Sequence, residues 1–246
     1  MNVDRGRLFA VVRKEFREYS RSRSIVATML VIPLVFLLEP LLAIFRLSAQ
    51  TSAGAVQKTV GSAFLLMMIT PALLPAVLAA YSVVGERDQG TLEPLLTTPV
   101  RREELLLGKA LAMAAPAVVI AYAVFAVVEV AAHLFALNPA VAPALSQGPH
   151  VLAEVLFAPL LAGWSCWVGI GISARSGDAR VAQQLGTLAS FPPLGVVALM
   201  SFDVFTPSVR VAVALGLVLL AADALLWRLV SALFDRERLV TGQAAP

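Results

Sequence analysis

The chain has 246 residues, of which 59% are hydrophobic and only 14% charged, and its mean hydropathy is +0.84. About a quarter of the residues of a soluble domain are charged, so this composition excludes a water-soluble enzyme or binding module and predicts an integral membrane protein. The net charge of +3 does not indicate nucleic acid, because Lys and Arg gather at the ends of apolar runs rather than on a polar, aromatic-bearing face.

Residues 1–24 read as an amphipathic helix. Leu8, Val11, Val12, Phe16 and Tyr19 recur at helical spacing, and Arg7, Arg13, Lys14, Arg17 and Glu18 cover most of the other positions. Such a helix is expected to lie along the inner leaflet, since no soluble domain offers it a packing surface. Twenty-four residues precede the first apolar run, and that run is too long for a secretory h-region, so no signal peptide is expected.

Six apolar runs follow: Ile25–Phe45, Gly61–Val84, Leu111–Ala132, Val151–Ala174, Leu185–Phe202 and Val209–Leu229. About 20 residues span a bilayer as a helix, which predicts an all-α membrane domain over 25–233, with a tail at 234–246. Pro192 and Pro193 fall inside the fifth run and should break its helix. The segment Ala136–His150 reads as a plain Pro-containing connection. Cys166, the sole cysteine, lies in an apolar run and reads as a small buried residue.

With six spans, sixteen of the nineteen Lys and Arg residues fall on one side, which holds both termini and the polar stretch 85–109. The positive-inside rule makes that side cytoplasmic, in the cell membrane. Glu39, Glu129 and Asp223 fall within spans and are candidates for a translocation path, with Glu39 the deepest in its run. Glu154, at a span boundary, is expected to be solvated.

Gly85–Lys109 reads GERDQGTLEPLLTTPVRREELLLGK and holds nine charged residues between two apolar runs. It is too short to fold a core and reads as a docking hairpin. Glu86 leaves the second span, and Gly90 marks a break. Thr91 is a plausible N-cap, and Glu93 sits near the positive end of the short helix that follows. Leu92, Leu95 and Leu96 form one apolar face, and Pro99 closes the helix. One or two exposed turns are unstable alone, so this face needs a partner. Lys109 is expected to snorkel to the interface. The glycines do not make a phosphate loop, because Thr91 stands where the lysine belongs and Ala110 follows Gly108–Lys109. No catalytic constellation and no metal site is evident, so no cofactor is expected on this chain. His133 and His150 supply little for acid–base chemistry.

The stretch resembles the segment joining the second and third spans of ABC-2 type permeases, the membrane subunits of one class of ATP-binding-cassette transporters. Glu86, Arg87, Gly90, Thr91, Leu92, Glu93, Leu95, Leu96, Thr98, Pro99, Gly108 and Lys109 match that family's pattern in order. The opening VVRKEFREYSRSRS is similar as well, and sodium- or drug-exporter and copper-maturation permeases are the nearest in kind. The resemblance implies the type-2 exporter fold: six transmembrane helices preceded by an amphipathic connecting helix. It implies that Thr91–Thr98 is a coupling helix seated on a separate cytoplasmic ABC ATPase. Two ATPase copies would carry ATP-Mg and pair with two permease copies in the bilayer. The family's extracellular gate helices have little room, because only Asp203–Ser208 separates the last two runs. The alternative is a stand-alone secondary carrier or channel that uses Glu39 for ion coupling.

Overall fold

The computed structural model describes residues 4–88, 90, 100–202 and 208–233, and among these there is no strand. The helices are α1 (Arg5–Arg21), α2 (Arg23–Phe45), α3 (Ala53–Ala80), α4 (Val84–Asp88), α5 (Arg102–Phe135), α6 (Val141–Leu145), α7 (Gly148–Arg175), α8 (Ala179–Ala189), α9 (Phe191–Ser201) and α10 (Val209–Leu233). Six of the resulting helical segments are long and apolar enough to cross a membrane, with α3–α4 and α8–α9 each counted as one. The helices run past the apolar runs into polar flanks: α3 begins at Ala53 and α5 at Arg102.

α3 is the central helix: 78% of the most apolar stretch of α3–α4 is buried, against 11% for α2. Its inner positions are small or flexible (Gly61, Ala63, Met67, Met68, Ala72, Ala76, Ala79), and α2, α5, α7, α8 and α9 pack around it. Small residues let helix backbones approach where no water drives association. At Gly169 of α7 an added Cβ would lie 2.5 Å from the Ala79 Cβ, and at Gly61 it would run into the Ser201 carbonyl oxygen of α9. α2 turns Leu30, Val31, Leu34, Val35, Leu38 and Leu42 outward, the surface expected of a lipid-facing helix.

The fifth crossing is broken, as its prolines predict. α8 stops at Ala189 and α9 starts at Phe191, with Ser190 between them. Pro193 has no N–H to donate to the Ala189 carbonyl. The Trp164 indole N–H of α7 donates there instead, at 2.8 Å. The Ser165 hydroxyl donates to Ser190 Oγ at 3.0 Å, and Ser190 returns a bond to the Gly186 carbonyl at 2.9 Å. A break at this depth is tolerated because neighbouring side chains satisfy the freed groups.

The segment 136–150 is more than a connection. α6 buries Val141 and Leu145 in the main core, and His150 Nδ1 bonds the Ala144 carbonyl at 3.1 Å. The Asn138 amide donates to the Ser48 and Thr51 carbonyls, pinning the α2–α3 loop. Proline in the sequence marked a loop, but alternate apolar residues around it turned the loop into a packed cap.

Candidate functional site: the base of the polar hairpin

Thr91, Leu92, Glu93, Leu95, Leu96, Thr98 and Pro99 lie outside the described residues. The two ends of the hairpin are described, and they converge. Gly90 takes φ +66°, a left-handed conformation that glycine adopts without strain, and its N–H bonds the Arg87 carbonyl. It is the chain break that the sequence predicts.

Upstream, α3 ends at Ala80 and a three-residue turn leads into α4. Ser173 of α7 organises that turn. Its hydroxyl donates to the Ala80 carbonyl at 2.8 Å and accepts from the N–H groups of Val83 and Val84 at 3.2 Å each. Arg87 then reaches the Ala174 and Ser176 carbonyls at the end of α7. Cations suit a helix C-terminus, where carbonyls lack intrahelical partners.

Downstream, Arg101 precedes α5, and its N–H donates to Glu104 Oε2 at 2.9 Å. The other oxygen of Glu104 accepts from the Asp4 N–H at 3.0 Å. Asp4 in turn caps α1, accepting from the Gly6 and Arg7 N–H groups. The start of α1 is thereby joined to the start of α5.

Between these two ends lies a charge hub. Lys109 of α5 is fully buried and does not snorkel as the sequence suggested. Its Nζ lies 2.9 Å from Glu15 of α1, 2.8 Å from Glu86 of α4 and 2.9 Å from the Ser82 carbonyl. Two of the ammonium's three donors are hydrogen-bonded, to Glu15 and to the Ser82 carbonyl, and Glu86 adds a close opposite charge. Lys14 completes the cluster, 3.2 Å from Glu15, 3.1 Å from Glu18 and 2.5 Å from Glu86. Snorkelling fails because Glu15 and Glu86 bring two carboxylates to Lys109 inside the protein.

The hub also corrects the reading of α1. Its inward stripe is Val11, Glu15 and Tyr19, while Phe9 and Phe16 face out. Val11 fits against Gly108 of α5, where an added Cβ would lie 2.6 Å from Val11 Cγ1. The helix therefore packs on protein along one stripe as well as presenting apolar side chains outward. The sequence favoured a purely interfacial helix because no soluble domain offers it a packing surface, but the membrane helix α5 does.

Glu15, Glu18 and Glu86 bring one oxygen each within 4.8 Å of one another. Lys14 and Lys109 bind these same carboxylates, so the cluster is an ion-pair lattice rather than a cation cage. A cavity of about 410 Å³ opens beside it, lined by Glu15, Glu18, Tyr19, Tyr81, Ser82 and Glu86 among others.

Burial alone would raise the Glu15 carboxyl, but Lys109 and Lys14 outweigh it and hold it below the ordinary 4.5. Burial alone would lower the Lys14 ammonium, but Glu15 and Glu86 raise it above the ordinary 10.5. Glu15 therefore stabilises the fold fully above its unfolded value, and this is lost as pH falls through the lowered folded value. The Lys14 contribution is complete below 10.5 and is lost as pH rises through its raised value. The melting temperature of the solubilised protein should thus have a plateau between these limits. Glu15→Gln should remove part of the acid limb, and an unchanged acid limb would contradict the hub.

The three candidate path carboxylates are not brought together. Glu39 lies on the exposed face of α2. Glu129 of α5 accepts from Ser146 and pairs with His133 at 3.3 Å, at the end of the bundle away from the hairpin. Asp223 of α10 is buried against α7, where Gly163 leaves room for it: a Cβ there would meet Asp223 Oδ2 at 2.9 Å. Glu154, expected in solvent, is only 2% exposed. Cys166 is fully buried, its Sγ 3.6 Å from the Ala110 carbonyl. The hub residues Glu15 and Lys14 were missed as site residues. A carboxylate on the apolar side of an amphipathic helix, between Val11 and Tyr19, was the available signal.

Residues 9–237 match the family model described as ABC-2 family transporter protein. A stretch of 104 residues is 36% identical to a protein of Pseudomonas aeruginosa named as the probable ABC transporter permease protein NosY. That alignment covers 42% of this chain and 37% of the relative. The match across nearly the whole chain agrees with the six-crossing all-α architecture. The chain belongs to the ABC-2 family of transporter proteins and is a multi-pass membrane subunit of the permease type.

Proposed function

We propose that this subunit moves its substrate outward across the cell membrane, driven by ATP that a separate cytoplasmic ABC ATPase hydrolyses. The observation that carries this reading is the hub at the hairpin base. There α1, α4 and α5 are locked by Glu15, Glu86 and Lys109, so a push on the hairpin would be delivered to three elements at once. Rigid-body transmission of this kind suits alternating access. Two ATPase copies would bind ATP-Mg, and this chain would bind no nucleotide of its own. Two permease copies would form the pore, with the outward apolar face of α2 and Glu39 available to a second copy or to lipid. Both termini would be cytoplasmic. The name of the Pseudomonas relative supports a permease role, while the direction of transport follows from the resemblance of the hairpin to exporter permeases.

The test is on the proposed coupling helix. Leu95→Arg or Glu93→Arg should leave membrane insertion intact and weaken ATPase association roughly tenfold or more, as for a buried interface anchor. Co-purification from native membranes and ATPase activity of the reconstituted complex measure it. Unchanged association and unchanged coupled activity would overturn the coupling role.

A further inference from the structure

Glu154 sits six residues into α7, about 9 Å from its hairpin-distal end. It is 2% exposed, and neither carboxyl oxygen has a hydrogen-bond partner among the described residues. Ala153, Phe157 and Ala158 beside it on α7 are fully buried. No titratable group of the packed helices hydrogen-bonds it among the described residues: toward the same end lie Lys58 of α3, Arg210 of α10, and Glu129 and His133 of α5, the last two paired with each other. On α5, the Tyr122 hydroxyl donates to the Val155 carbonyl at 2.9 Å. On α7 itself, His150 bonds Ala144. On α10, Asp223 lies against Gly163, nine residues further along α7. α3 lines this half of the core with Val56, Val60, Phe64, Met67 and Met68. α8 carries its one cation, Arg180, at the hairpin end.

An ionised carboxylate enclosed by apolar side chains loses its hydration and gains nothing in return. A metal cation would need several oxygen ligands, and here a single carboxyl is offered. A proton needs only that carboxyl. We propose that Glu154 is a proton-binding site of the membrane domain, loaded in the conformation described. Its proton leaves only when water reaches it, which requires α5 and α7 to part in this half of the bundle. A conformational cycle that hydrates this region would then exchange one proton per permease copy. This does not depend on the ATPase reading.

Two measurements on the full-length permease in lipid test the proposal. The first is infrared spectroscopy at neutral pH. The wild-type minus Glu154→Gln difference should contain the C=O stretch of a protonated carboxyl; the paired bands of an ionised carboxylate would overturn it. The second needs no variant. The lipid-soluble reagent dicyclohexylcarbodiimide takes up a carboxylic acid by addition: the acid proton goes to a reagent nitrogen and the carboxyl oxygen to its central carbon. The acyl group then migrates to nitrogen, giving a stable N-acylurea with no leaving group. Mass spectrometry should find this adduct on Glu154, falling as pH is raised, with no product from a water-soluble carbodiimide plus amine. Labelling by the water-soluble reagent, or no adduct from the lipid-soluble one, would overturn the assignment.

Discussion

Replacing Lys109 with methionine should destabilise the permease by about 3 kcal/mol, the lower end of the cost of stranding one partner of a buried ion pair. Methionine fills a similar volume but supplies no donor. Glu15 and Glu86, both nearly fully buried, would lose their buried cation and lean on the partly exposed Lys14, and the Ser82 carbonyl would lose the Lys109 donor. The lower end applies because Lys14 already touches both carboxylates. Lys109→Arg should be only partly tolerated, because a planar fork cannot reproduce three oxygens grouped within 2.9 Å of one nitrogen. Adding Glu15→Gln to Lys109→Met should recover part of the loss, since it removes one stranded charge. Thermal unfolding of the lipid-reconstituted variants measures all three. A Lys109→Met protein as stable as wild type would show that the hub does not hold the hairpin base. If the hub also transmits force, the double variant should regain stability without regaining ATP-coupled transport.

Gly61→Ala should cost about 2–3 kcal/mol, as overpacking a tight contact does. The added methyl would overlap the backbone carbonyl oxygen of Ser201, and a backbone atom cannot rotate aside as a side chain can. α9 would have to move off α3. That shift would disturb the Ser190 break, because α9 is continuous from Phe191 to Ser201. Gly54→Ala is the control: it lies on the same helix with nothing within 4 Å of the new methyl. It should be neutral or slightly stabilising, since alanine favours helix over glycine by about 1 kcal/mol. Equal melting temperatures for the two variants would mean that the α3–α9 contact is looser than described.

Both variants act where the sequence pattern is silent. A glycine in an apolar run and a lysine at its edge carry no label saying what they touch. Gly61 opens the second run and Lys109 precedes the third, positions that read equally well as loose ends. Pro192–Pro193 was different. Two missing donors have a local consequence, so the break was legible, although its repair by Trp164 was not.

The sequence by itself determined the class of the protein. Apolar runs of bilayer length, polar segments too short to fold alone and a one-sided distribution of Lys and Arg follow from solvation and chain length, which need no tertiary information. The hairpin motif likewise could be read residue by residue, and the family match over residues 9–237 agrees with it. Only the tertiary structure decided which charges are buried together. Glu15, Glu86 and Lys109 come from three separate stretches of chain, and Glu154 reads as a boundary residue until its helix neighbours enclose it. The physical reason is that burial of a charge depends on what packs against it from elsewhere in the chain. Periodicity along one helix reports a face, but not the partner that the face meets.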